Sequence, residues 1–183
     1  MNGTPESTGT MCQHRRVIPR ATSVEFGRRL AMLAGRLLTG RNRPGYPGDF
    51  AGQVTDVRCE YAPHADGRPD GGEIVWAWVP YEEDHRQGKD RPVLVIGHDG
   101  AWLLALMLTS TDHDHDTTVE ARRDRAGRVW MDIGTGAWDP RGRPSEVRLD
   151  RILRLDPDAV RREGAVLERG LFEQVAKALG HGW

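Results

Sequence analysis

Residues Gly88–Gly97 read GKDRPVLVIG. Four consecutive apolar residues, Val93 to Ile96, suit a strand buried on both faces, and Pro92 is tolerated because it stands first in that strand. The charged, turn-forming entry sets Arg91 against the mouth of the strand. Two readings are open: a solvated arginine at a strand start, or an arginine held at the rim of a site.

Working outward, EIVWAWVP (residues 73–80) alternates Ile74, Trp76 and Trp78 on one face with Val75, Ala77 and Val79 on the other. Both faces are apolar, which predicts a central strand. The polar loop after it leads into Arg91. Beyond Gly97, His98-Asp99-Gly100 supplies turn chemistry and WLLALMLTS (102–110) runs back, so the pair reads as a hairpin. VWMDIG (129–134) is a fourth strand, GTGAWDPRGRP (134–144) a turn-rich excursion, and SEVRLDRILRL (145–155) a fifth strand with a bend near Asp150. In LERGLFEQVAKALG (167–180), Leu167, Leu171, Val175 and Leu179 make one helical face. Short strands joined by loops and closed by one helix predict a mainly β (α+β) fold, a small barrel.

Towards the N-terminus the texture changes. Residues 1–21 are polar and irregular and read as a disordered tail. Residues 22–40 read as an amphipathic helix, with Thr22 and Glu25 as a capping box, Gly40 as its stop, and Phe26, Leu30, Leu33 and Leu37 on one stripe. Residues 41–71, rich in Gly, Pro and Asp, read as linker or loop. The barrel domain is therefore expected over 72–183, and Met11 or Met32 is an alternative start.

Net charge is −1 over 183 residues, which selects neither for nor against nucleic acid. The cations are nonetheless nearly all Arg, with Lys89 and Lys177 the two lysines. That bias follows from a GC-rich genome, or from a need for the planar guanidinium fork on phosphate. Cys12 and Cys59 form no CxxC pair, so neither a disulfide framework nor a zinc site of cysteines is expected. No apolar run reaches membrane length and the start lacks the apolar centre of a secretion signal, so the expectation is a cytoplasmic protein without membrane contact.

Three constellations carry chemistry. If the hairpin turns at 98–100, Arg91 and Thr109 fall at the same open end. A guanidinium fork with a neighbouring hydroxyl, and Ser110 as a further donor, can grip a phosphate. In TDHDHD (111–116), His113 and His115 share one face of an extended chain, but no distant third ligand stands out, so no metal or other cofactor is assigned. Among six tryptophans, most sit in strands as core. Trp138, in a loop with Arg141 and Arg143, is the best candidate for stacking an unpaired base.

GEIVWAWVP, GKDRPVLVIG, a strand closing on LTST, SEVRLDRILRLD and a final helix together resemble the PemK/MazF family of toxins from bacterial toxin-antitoxin pairs, over about 72–179. The resemblance implies an SH3-like barrel that forms a homodimer. It implies metal-independent cleavage of single-stranded RNA by the substrate's own 2′-hydroxyl, and a cognate antitoxin whose acidic, partly disordered segment covers the basic groove. The family's catalytic arginine falls on Arg91 and its threonine on Thr109. Independently of the resemblance, Lys89, Ser110, Trp138, Arg141 and Arg143 are the expected RNA contacts. Neither catalytic residue is an effective proton carrier, which brings in His85 of the preceding loop. That loop, EEDHRQGKD, keeps Glu82, Glu83 and Asp84 but in another register than the family's. Relatives of this fold that bind gyrase without cutting RNA leave a non-catalytic binder as the alternative.

Overall fold

The computed structural model describes residues 46–110 and 120–180. The expected tail, the helix over 22–40 and TDHDHD lie outside the described residues. The described part contains β1 (Glu73–Pro80), β2 (Gly88–Asp99), β3 (Trp102–Thr109), β4 (Arg122–Arg123), β5 (Val129–Asp132), β6 (Glu146–Leu155), β7 (Arg162–Val166) and the helix α1 (Arg169–Gly180). The strands make one sheet in the order β4-β5-β6-β3-β2-β1-β7, and every pairing is antiparallel.

Strands that are apolar on both faces give a sheet with two apolar sides. On one side Ile74, Leu94, Leu106, Met131, Val147 and the α1 residues Phe172, Val175 and Leu179 form a single buried cluster. Ile74 of β1 and Met131 of β5 have three strands between them in the sheet order, so the sheet rolls around this core. On the other side Val75, Ala77, Val93, Val95, Ala105, Met107 and Leu153 form a second cluster. The mostly β, antiparallel fold with a C-terminal helix is thus the one expected. Helix α1 begins two residues after Leu167, because the Leu167 amide donates to Gly72 O at 2.9 Å and its carbonyl accepts from the Tyr61 hydroxyl at 2.9 Å.

Two irregularities shape the site. Along β2 and β3 the pairing shifts between Val95 and Gly97, leaving Ile96 as an extra residue in β2. Such a bulge bends the strand and resets which side chains share a face. In β6, Leu106 of β3 faces Ile152 but Leu108 faces Val147, so residues 148–151 arch away from β3. The bend read near Asp150 falls within this arch, where the Asp150 carboxylate accepts the Val129 amide at 2.8 Å and the Arg148 guanidinium at 2.8 and 3.0 Å.

The expected linker over 41–71 needs correction from residue 46 onward. It is irregular, but it is packed on the sheet, so the folded domain extends upstream of 72. Phe50 N donates to Ile152 O and Glu60 N to Ile96 O, each at 2.9 Å, and Phe50, Val54, Val57 and Tyr61 pack on the core. A Cβ on Gly97 would lie 2.4 Å from Arg58 O, so the segment's close approach to the bulge requires glycine there. The Gly, Pro and Asp content produced loops without period, and periodicity is blind to loops that bury occasional aromatic residues.

Candidate functional site

The site is built at the open end of the β2–β3 hairpin. Val93 pairs with Met107, and continuing that register outward sets Arg91 across from Thr109. Were Ile96 paired in register rather than bulged, continuing the pairing of Gly97 with Leu104 would set Arg91 across from Ser110 and turn Thr109 to the opposite face. The bulge therefore sets Arg91 and Thr109 opposite each other on one face of the hairpin. On its other flank Arg91 pairs with Ala77 of β1, and Thr109 pairs with Glu146 of β6.

A cavity of about 300 Å³ opens here, with Arg91, Thr109, Lys89 and Ser110 in its wall, and Trp138, Asp139, Arg143 and Ser145 contributed by the segment before β6. Asp139 organises that segment. Its carboxylate accepts the Arg141 amide at 2.9 Å and the Arg143 Nε at 2.7 Å, and its carbonyl accepts the Gly142 amide at 2.9 Å. The Arg143 hydrogen bond, with the Arg141 amide, holds the Asp139 carboxyl below its ordinary range.

The charge balance of the cavity is decided by pairing. Asp139 is taken by Arg143, and the other carboxylate in the wall, Asp90, is taken by Arg161 at 2.9 Å. Lys89 and Arg91 have no carboxylate partner among the described residues. Burial pushes the half-buried Arg91 guanidinium below its ordinary pKa; the nearby Tyr81 opposes this and Arg151 adds to it. A guanidinium stripped of part of its water, with no carboxylate to satisfy it, is a strong donor to an incoming oxyanion.

Six of the eight residues expected from the sequence thus meet: Arg91, Thr109, Lys89, Ser110, Trp138 and Arg143. Trp138 is not the open platform expected. It is 4% exposed, belongs to the core cluster, and donates its indole N–H to Ser145 Oγ at 3.1 Å. A buried indole can form a wall of the cavity but has no free face for stacking. Arg141 is exposed outside the cavity wall. His85 also lies elsewhere, edge-on to the Tyr46 ring with centroids 5.2 Å apart. The β1–β2 loop carries it away from the cavity: Tyr81 N donates to Gln87 O, and Asp84 gathers Arg86 and Gln87 around itself.

Sequence reasoning missed the arginines of β6. Arg148 is 5% exposed and pairs with Asp150 and Glu82, while Arg151 is 7% exposed, with Nε 3.0 Å from Asp49 Oδ2 and Nη1 2.9 Å from Pro80 O. The signal was present in SEVRLDRILRL, where charges interrupt an otherwise apolar strand. Charges inside such a strand require buried partners.

A rolled antiparallel sheet with a C-terminal helix and a cationic cavity at one hairpin mouth defines a small β protein of the barrel class. Its sequence settles the family. The model of the PemK-like, MazF-like toxins of type II toxin-antitoxin systems matches residues 70–182, more than half of the chain, and the chain belongs to that family. Solved structures that it resembles include an endoribonuclease in complex with its cognate antitoxin from a mycobacterial species, at 18% identity and a TM-score of 0.41, covering 63% of this chain and 98% of that one. MazE-MazF from Deinococcus radiodurans is 22% identical with a TM-score of 0.42, covering 62% and 93%. The toxin MazF-mt6 from Mycobacterium tuberculosis is 19% identical with a TM-score of 0.38, covering 60% and 93%. No curated protein is similar in sequence.

Proposed function

We propose that the protein is the toxin of a type II toxin-antitoxin pair and that it cleaves single-stranded RNA at the Arg91–Thr109 cavity without a metal ion. The observation that carries this reading is the pair of cations, Lys89 and Arg91, in the wall of a cavity whose two lining carboxylates are already occupied by Arg143 and Arg161. Such a wall favours a phosphodiester over a cation or a neutral ligand.

In the proposed reaction the 2′-hydroxyl of the substrate loses its proton and its oxygen bonds to the adjacent phosphorus. The bond from phosphorus to the 5′-oxygen breaks and that oxygen gains a proton, leaving a 2′,3′-cyclic phosphate and a 5′-hydroxyl. Arg91 stabilises the charge that builds on the non-bridging oxygens, a contribution of about 2.7–4 kcal/mol for one well-placed donor. Thr109, with its small hydroxyl beside the guanidinium, orients the phosphate or the 2′-hydroxyl. Lys89 extends the cationic wall along β2, while Arg143, paired with Asp139, borders it from the segment before β6. A cognate antitoxin with an acidic, partly disordered segment would compete for the same cations, folding as it binds. A homodimer in the cytoplasm completes the family expectation.

The test is purified protein on mixed RNA, with and without chelator. Cleavage in both, with cyclic phosphate ends, is expected, and Arg91→Ala and Thr109→Ala should abolish it while remaining folded. Full cleavage by folded Arg91→Ala would overturn the assignment. RNA left intact by a protein that still arrests growth would favour the non-catalytic binder.

A further inference from the structure

Residues 46–50 lie upstream of the family match, which begins at 70, yet they reach the loop next to Arg91. The segment runs along β6 where β5 no longer pairs with it: Asp49 bridges Leu153, Phe50 N donates to Ile152 O, and Arg154 Nη2 donates to Pro47 O at 2.9 Å. From this seat it touches the β1–β2 loop in two ways. Tyr46 sets its ring edge-on against His85 of the loop. Asp49, itself accepting the Tyr46 hydroxyl, takes the Arg151 Nε at 3.0 Å, and the same guanidinium donates Nη1 to Pro80 O, where the loop begins.

We propose that Tyr46 and Asp49 are positioning residues for the Arg91 site, a strap supplied from outside the family domain that fixes the β1–β2 loop through Arg151 and His85. The reason lies in the burial of Arg151. Its guanidinium is almost wholly shielded, and Nη2 has no hydrogen-bond partner among the described residues. Glu82 stands 4.0 Å from Nη1 and is shared with Arg148. Removing Asp49 leaves the charge poorly compensated, so the guanidinium is driven toward water and gives up the Pro80 carbonyl. The strap's influence extends to Arg91 because the loop it fixes runs straight into β2, where Gly88 pairs with Pro80 and Arg91 pairs with Ala77. The consequence for RNA cleavage rests on the function proposed above; the consequence for the loop does not.

Amide hydrogen exchange on the full-length chain tests the strap directly. In Asp49→Ala the Tyr81 and Gln87 amides, bonded within the loop to Gln87 O and Asp84 O, should exchange about tenfold faster, the factor expected on losing a charge-assisted hydrogen bond. Leu104 and Leu106 in the core should keep their protection, and the Arg91 Nε–H resonance should shift. Asp49→Asn, of nearly the same shape without the charge, should move the same signals in the same direction and serves if Asp49→Ala does not fold. Unchanged loop amides in a folded variant, or equal loosening of loop and core, would overturn the proposal. A wild-type chain that cuts no RNA, but whose loop loosens in Asp49→Ala, would refute the ribonuclease reading and leave the strap standing.

Discussion

Arg91 and the arginines of β6 occupy the same sheet in opposite conditions. Arg148 and Arg151 are more deeply buried than Arg91 and are held by Asp150, Glu82, Asp49 and the Pro80 carbonyl. Arg91 is half-buried at a cavity wall and has no carboxylate partner among the described residues. A guanidinium whose donors are spent on its own chain contributes to architecture. One whose donors face a cavity is available to a ligand. The contrast separates binding from scaffolding arginines in a chain with 24 of them.

The widest separation between the two groups should come from activity. Arg91→Ala is expected to lower RNA cleavage by at least 100- to 1,000-fold, while its denaturation midpoint stays close to that of the wild type because no ion pair among the described residues is broken. Arg91→Lys should recover only part of the rate, since a point charge cannot replace the fork. A large loss of stability in Arg91→Ala would erase the distinction.

The converse experiment is Arg148→Ala, which should cost about 3 kcal/mol in urea unfolding. This is the lower end for a broken buried pair, because Asp150 and Glu82 keep partial contact with water. A stability change within the range of ordinary surface substitutions would mean that the network is decorative. A smaller effect is expected at Asp139→Ala, which frees Arg143 and removes the acceptor of the Arg141 amide. RNA binding should weaken several-fold at low salt, with stability changed by about 1 kcal/mol; tighter RNA binding would show instead that Asp139 matters mainly as a negative charge in the cavity.

Acid should reveal the scaffold group at the smallest scale. Burial tends to raise the Asp150 pKa, but the Arg148 bonds and the Val129 amide outweigh it and hold the carboxyl below its ordinary range. A lowered folded pKa contributes stability that is complete above the unfolded value of about 3.9 and is lost as pH falls through the folded value. As far as Asp150 is concerned, the urea midpoint should therefore not change with pH near neutrality and should decline below about pH 4, and Asp150→Asn should flatten part of that decline.

Much of this was legible in the residues. RPVLVI and EIVWAWV announced central strands because each apolar face repeats without a polar break, and the turn at His98–Gly100 then placed Arg91 and Thr109 at one end. Trp138 misled, since Gly and Pro around an aromatic residue suggest an exposed loop, whereas the loop folds back and buries the ring against Ser145. Residues 46–71 misled in the same way, because a segment can be irregular in conformation and still be packed.

The sequence by itself determined five of the seven described strands, the C-terminal helix, the family and the two residues at the hairpin mouth, since these follow from local periodicity and short motifs; β4 and β7 carry too little apolar periodicity to be read. Only the tertiary structure decided which face Thr109 occupies, through one extra residue at Ile96, and which arginines are free to bind. It also joined Asp49 to Arg151 across 102 positions of chain. Pairings of that kind depend on burial and charge compensation between distant segments, which no local pattern records.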